Sequence, residues 1–417
     1  MKTANYKEID KVPFIFLTTM PLLAVLFVPL YLYFFDLSWS IVVMTVALFF
    51  ISTMSITAGY HRLFSHKAYS ANKVYQALML FFGAGTFQNS CFKWSWDHRK
   101  HHKNVDTDKD PYDAKKGAFH SHLGWMMFKG HTEDSVVPLG DLEKNKLVMF
   151  QDKYYLLIAI LSGAGVPTLI GHILGDPLGG FIFGFIVRTT LVHHVTFFVN
   201  SLAHIVGTQP FSDKHTARDS LFVAVLTNGE GYHNFHHTFE ADYRNGIRWY
   251  NWDPTKWMIK GLSWFGVTHN LKQVSEYRIL QAKMQMQEKQ LQTQGVDTDR
   301  LQSIKSKMDE AQKHWARMAR EYNLKKQELQ AEYKLKKKEW AQNYQSKKQD
   351  FTQSMAEKRD GFSQGYAEMK EDWVEQKNRK MAQLKLEARL AKIEYRKSLE
   401  QWKACVSELS KTAPQMA

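Results

Sequence analysis

The chain has 417 residues, 44% of them apolar, with 55 Lys and Arg against 41 Asp and Glu and a formal charge of +14. That length leaves room for more than one domain, and a total of two cysteines, Cys91 and Cys405, argues against a disulfide scaffold or a cysteine-built metal site. The averages hide two unlike regions: residues 1 to about 272 hold nearly all the long apolar runs, whereas 273–417 are rich in Lys, Arg, Glu, Gln and Ala.

In chain order, four stretches, 12–35, 40–58, 154–174 and 178–199, are apolar enough and long enough to cross a bilayer, which takes roughly 20 residues. A fifth run, 74–92, contains Gln76, Thr86, Gln88 and Asn89 and reads as a shallow or buried helix. No secretory leader is expected, because the first run lacks a small-residue cleavage pattern and more spans follow. Four spans place 36–39 and 175–177, which carry no Lys or Arg, on one side. The N-terminus, 60–153 and everything after 200 fall on the other side with the basic residues, which makes that side cytoplasmic. The expected location is a bacterial inner membrane, with both termini cytoplasmic.

Histidines gather on that same side. HRLFSH supplies His61 and His66, and DHRKHH supplies His98, His101 and His102. VNSLAH supplies Asn200 and His204, and GEGYHNFHH supplies His233, His236 and His237. Helical residues three or four apart share a face, while adjacent ones point about 100° apart. Neighbouring histidines can therefore serve two different metal centres. Nine imidazoles exceed the need of one ion and suit two shells with a position left for water or oxygen. Imidazole binds iron, zinc, copper and nickel alike, and two closed structural zinc sites are the alternative. Asn200, one turn before His204, is a weak ligand but a good orienter of a metal-bound water. His172, His193 and His194 read as structural or orienting neighbours, and a metal role for His120 and His122 stays open.

These residues resemble the membrane fatty-acid desaturase family, its acyl-CoA delta-9 or stearoyl-CoA branch in particular. The resemblance covers about residues 10–270 and rests on HRLFSH, DHRKHH with Asp97 leading, VNSLAH, RDS at 218–220 and GEGYHNFHH. It implies an all-α integral membrane protein of four transmembrane helices with a cytoplasmic histidine-rich di-metal cap. It also implies two non-heme iron ions held by the nine histidines, with Asn200 acting through water. Molecular oxygen is the implied co-substrate, and a double bond, at delta-9, is set into a long-chain acyl-CoA. Two electrons come from an external donor of cytochrome b5, ferredoxin or rubredoxin type. A phospholipid-linked acyl chain, a related di-iron hydroxylase and a non-enzymatic metal-binding scaffold are the rival readings. Lys93, Arg99, Lys100, Lys103 and Lys129 are candidate contacts for a phosphate of coenzyme A or lipid. Trp94, Trp96, Trp125 and Trp249 are candidates to frame an entrance or anchor at the interface.

The domain expectation is a desaturase domain over 1–272 and a helical tail over 273–417. In the tail, Leu301, Met308, Trp315, Tyr322 and Leu329 recur every seven residues, with Ile304, Ala311 and Met318 as companions, which is coiled-coil periodicity. The pattern shifts by four at Tyr333 and continues through Trp340, Tyr344 and Phe351, a stutter that unwinds the supercoil locally. Gly361 and Gly365 predict a break before a second helix. Folding back, self-association and contact with an electron donor are all open for the tail. Acidic residues interrupt its basic runs and no recognition motif occurs, so nucleic acid is not an expected partner.

Overall fold

The computed structural model describes residues 6–129, 136–350 and 356–412. Almost all of its regular structure is helical, as the sequence predicts. Two antiparallel strand pairs, Glu8–Ile9 with Phe128–Lys129 and Ser70–Ala71 with Thr268–His269, are the only sheets among the described residues.

Four helices are long and apolar enough to cross a membrane: Lys11–Phe34, Trp39–Ser65, Tyr155–Ile173 and Pro177–Ile205. The second and fourth outrun their expected ends, because polar residues such as His61 and His204 continue the helix past the apolar stretch. The fifth apolar run forms Lys73–Ala84, a 12-residue helix capped by the Asn72 side chain. At about 1.5 Å per residue this helix is too short to span a bilayer.

One buried cation ties the spans together. Arg188 is 2% exposed. Its guanidinium donates to the carbonyls of Gly184 at 2.6 Å, Gly163 at 2.8 Å and Gly85 at 3.1 Å, and to Ser52 Oγ. These acceptors come from the second, third and fourth spans and from the turn after Ala84. Five N–H donors on a planar fork suit such a junction. At the end of the spans away from the histidines, Asp176 accepts from Gly179 N at 2.7 Å and from the Tyr31 hydroxyl at 2.5 Å.

The chain divides into two compact units, Met1–Met286 and Gln287–Ala417. In the second, helices Asp299–Asp350 and Ala356–Thr412 pair as an antiparallel hairpin. Arg300 meets Glu408, Trp315 stacks on Tyr395, and Tyr333 stacks on Trp373, so numbers rise on one helix as they fall on the other. Leu301, Met308, Ala311, Leu329 and Trp340 are buried along the seam, which therefore survives the stutter. The Tyr344 side chain and Phe351 lie outside the described residues. The helix runs unbroken through Gly361 and Gly365, contrary to the break the glycines predict. Each glycine costs a helix interior only about 1 kcal/mol against alanine, which a helix of 57 residues absorbs.

Candidate metal centre

The second span ends in a π-wound segment, Ser55–Ser65, that carries His61 and leads directly to His66. The π-wound segment is eleven residues long, well beyond the single π turns common at functional sites. Next, Ser90 caps the helix Cys91–Asn104, on which His98, His101 and His102 lie. His204 sits on the short turn Leu202–Ile205 at the end of the fourth span. The last three histidines lie on His233–Thr238. Both glycines of the preceding GEG have a reason. Gly229 has φ +102, which side chains rarely adopt, and a Cβ on Gly231 would lie 2.1 Å from Ala224 N.

The nine predicted histidines come together as two groups. His61, His66, His98, His102 and His236 form one, and His101, His204, His233 and His237 form the other; within each, the potential ligand nitrogens lie within 4.8 Å of one another. In the first, His61 Nε2 is 3.0 Å from His236 Nε2, His66 Nε2 is 2.8 Å from His98 Nε2, and His102 Nε2 is 3.1 Å from His236 Nε2. In the second, His237 Nε2 is 3.3 Å from His101 Nε2 and 3.0 Å from His233 Nε2. Adjacent His101 and His102 enter different groups, as do His236 and His237.

The outer face of the rings fixes their chemistry. Asp110 Oδ1 lies 2.8 Å from His101 Nδ1, Glu230 Oε2 lies 3.0 Å from His61 Nδ1, and Glu240 Oε2 lies 3.2 Å from His102 Nδ1. Tyr112 OH is 3.2 Å from His98 Nδ1, and Thr216 Oγ1 is 2.8 Å from His204 Nδ1. An ionised carboxylate only accepts, so the Nδ1 facing it carries the proton and Nε2 keeps its lone pair. Lone pairs pointed at each other across 3 Å repel unless a cation lies between them. For metal–nitrogen bonds of about 2.1 Å, ligands at right angles are about 3.0 Å apart, which matches the spacing found. His204 Nε2 is buried without a hydrogen-bond partner among the described residues, as an imidazole meant for an ion would be. The residues present fit two transition-metal ions.

Burial holds the imidazoles of His66, His98, His233, His236 and His237 well below their usual range, and that of His102 down to about 4, so they are neutral at pH 7. Burial works against ionisation of Glu230, yet the Arg62 guanidinium and His61 hold its carboxyl at about 2. Arg62 NH2 lies 2.8 Å from Glu230 Oε1 and 3.1 Å from Asp253 Oδ1, while its NH1 donates to the Tyr243 carbonyl.

The remaining candidates scatter. Asn200 is half-buried on the fourth span. Trp94 stacks on the His98 ring at 4.9 Å, against the first histidine group. Arg99 is fully engaged, bridging both Asp141 oxygens at 2.8 Å and donating to the carbonyls of Phe64, Ser65 and Pro138. Lys93 pairs with Asp97 and lies over the Trp96 ring, Lys100 is buried beside that ring, and Lys103 donates to the Val136 carbonyl. Lys129 pairs with Glu8 across the first strand pair, and Trp125 packs on Tyr112. Trp249 is 83% exposed and packs edge-on against the exposed Tyr250, which suits a membrane interface. Away from both groups, His122 Nε2 meets His194 Nδ1 at 3.0 Å, and His193 Nε2 meets the Thr86 carbonyl at 2.7 Å. The sequence reading missed Glu230, Glu240, Asp110, Tyr112 and Thr216. Glu230 stood inside GEGYHNFHH, and its acidity within a histidine box was the available signal.

Fold and site together define a helical membrane protein with paired imidazole cages. The fatty acid desaturase family model matches residues 37–268, and the chain belongs to that family. It is similar to Acyl-CoA desaturase 1 of Saccharomyces cerevisiae, 42% identical over 240 residues, which cover 57% of this chain and 47% of that protein. It is 38% identical over 240 residues to Stearoyl-CoA desaturase 5 of Bos taurus, covering 55% and 71%. It is 36% identical over 253 residues to the Acyl-CoA Delta(11) desaturase of Trichoplusia ni, covering 59% and 72%. The chain thus spans about half the length of the yeast relative, and these three relatives are fungal and animal.

Proposed function

We propose that the chain is an oxygen-dependent acyl-CoA desaturase with two non-heme irons, one in each histidine group, on the cytoplasmic side of its membrane. The convergence of nine Nε2 atoms, several backed by a carboxylate or hydroxyl at Nδ1, is the observation that carries the reading. A mid-chain methylene has no acidic proton and no leaving group, so acid–base chemistry alone cannot remove its hydrogens. When bound, the metal pair supplies the oxidising power. Two hydrogens leave the acyl chain with two electrons; two further electrons and two protons from an external donor complete reduction of oxygen to two waters.

The chain's own residues do the holding. Asp110, Glu230 and Glu240 keep the rings in the Nδ1–H form and aim Nε2 inward. Arg62 keeps Glu230 ionised, and Trp94 covers His98 from the side. Asn200 orients a water of one ion. In this reading the acyl chain lies among the spans with its polar head on the side of the cap. Position is set by geometry, since a shift of about 1 Å costs on the order of a hundredfold in rate. Resemblance to the delta-9 branch supports a bond between carbons 9 and 10; a relative named as a delta-11 enzyme makes that position the point to measure.

The test is mass analysis of products from purified full chain with defined acyl-CoA and phospholipid substrates, oxygen and an electron-donor system. Stearoyl-CoA deuterated at carbons 9 and 10 is expected to lose one deuterium from each and give a cis product. A product hydroxylated at either carbon would assign the hydroxylase reading, and an untouched substrate with two tightly held ions would assign the scaffold.

A further inference from the structure

The two histidine groups are unequal, five rings against four. A tenth histidine lies beside the smaller one. His215 is 8% exposed, and neither of its ring nitrogens has a hydrogen-bond partner among the described residues. A buried polar atom left unpartnered is destabilising, so two on one ring call for a ligand. The ring is 5.2 Å from that of His237, within the 4.5–5.5 Å that separates neighbouring rings of the four-histidine group.

The ring's place is fixed from both sides. Asp106 accepts from Thr216 N and Thr216 Oγ1, each at 2.6 Å, and Thr216 Oγ1 is 2.8 Å from His204 Nδ1. The Gln209 side chain donates to the His215 carbonyl. The residue next to His215 is thereby tied to a member of the four-histidine group. Still, the nitrogens of His215 stay outside the set that converges within 4.8 Å. A ring beside the group, buried, unpartnered and outside the convergence is placed to hold something the ion carries.

We propose that His215 serves the ion of the four-histidine group by hydrogen-bonding a solvent ligand in a position that four imidazoles leave open. This rests on reading the two groups as metal sites. His215 is a positioning residue: it acts on the ion through that solvent molecule and is not itself a ligand. The solvent molecule it holds fills the place that the fifth ring takes in the larger group.

Cobalt(II) is a suitable probe, because its visible absorption reports coordination number without turnover. The full-length chain, stripped and reloaded, is expected to take up two cobalt ions; uptake of fewer by the unaltered chain would defeat the metal-site reading itself. In His215→Phe, two ions should still bind at saturation. The visible spectrum should change, and one of the two should be lost to a chelator about 10–100-fold faster, the range for groups that orient a metal's ligands. His215→Gln, which keeps a hydrogen-bonding side chain, should recover most of the difference. A Phe variant matching the unaltered chain in spectrum and in both release rates overturns the proposal. So does loss of one ion at saturating cobalt, which would make His215 a ligand. If the Phe variant fails to fold, His215→Leu, smaller and equally unable to hydrogen-bond, is read by the same criteria: faster release of one ion supports the role, and a match to the unaltered chain overturns it.

Discussion

Arg62 and Arg300 are the same residue in two settings. Arg62 NH2 lies 2.8 Å from Glu230, and Arg300 NH1 lies 3.0 Å from Glu408. The distances barely differ, but the side chains of the first pair are 1% and 3% exposed and those of the second 66% and 60%. In the cap, water is gone and each charge depends on its partner for solvation. In the tail, water solvates both groups whether or not they meet. The cap therefore uses charge to fix geometry, whereas the tail draws its stability from the apolar seam between its helices.

The sharpest way to break this contrast is Arg62→Met. It would leave Glu230 and Asp253 buried without their shared cation, a loss of about 3–5 kcal/mol. Thermal unfolding in detergent should show a lower midpoint for the desaturase unit, with metal lost together with structure. The matching test for the tail is Trp402→Ala. Trp402 is 2% exposed, and truncating a buried Trp costs about 3–5 kcal/mol. Helix content of the tail should melt earlier while both ions stay bound. Equal metal loss from the two variants would erase the distinction between the regions.

A finer comparison lies within the cap. The Asp110 side chain is 1% exposed and that of Glu240 is 58% exposed, yet each backs a histidine. Asp110→Asn is expected to weaken metal binding at the four-histidine group about 10–100-fold, because a buried amide can present either its oxygen or its nitrogen to His101. Glu240→Gln should have the smaller effect at the other group, since water can replace the lost acceptor. Competition with a chelator, read separately for the two ions, checks the order.

These partners also mark where the sequence stops being legible. The spans were readable because hydropathy is a local property, and the nine histidines because short spacings recur beside span ends. Glu230 and Arg62 are 168 positions apart, and no local pattern joins them. His215 stands alone between Lys214 and Thr216, without a spacing partner. Arg99 and Lys129 are candidates for a phosphate in the sequence, which cannot show that Asp141 and Glu8 are their partners in the fold. In the tail, heptads revealed the seam, while the glycines misled: about 1 kcal/mol each does not break a helix of 57 residues.

The smallest expected effect is at the surface pair of the tail. Arg300 and Glu408 sit near the open end of the antiparallel hairpin, and their contact looks as good on distance as the one at Arg62. Holding two long side chains in one geometry costs rotamer entropy, and water supplies most of what the contact would gain. Such pairs contribute about 0.2–1 kcal/mol. A double-mutant cycle of Arg300→Ala, Glu408→Ala and both together should give a coupling energy in that range, read from urea unfolding of the tail signal. Added salt should shrink it, since the Debye length falls to about 3 Å at 1 M. The coupling at Arg62 and Glu230 should hardly respond, because ions cannot enter between buried groups. A salt-insensitive coupling of several kcal/mol at Arg300 would mean that the tail pair is covered by another surface in solution and belongs with the buried network.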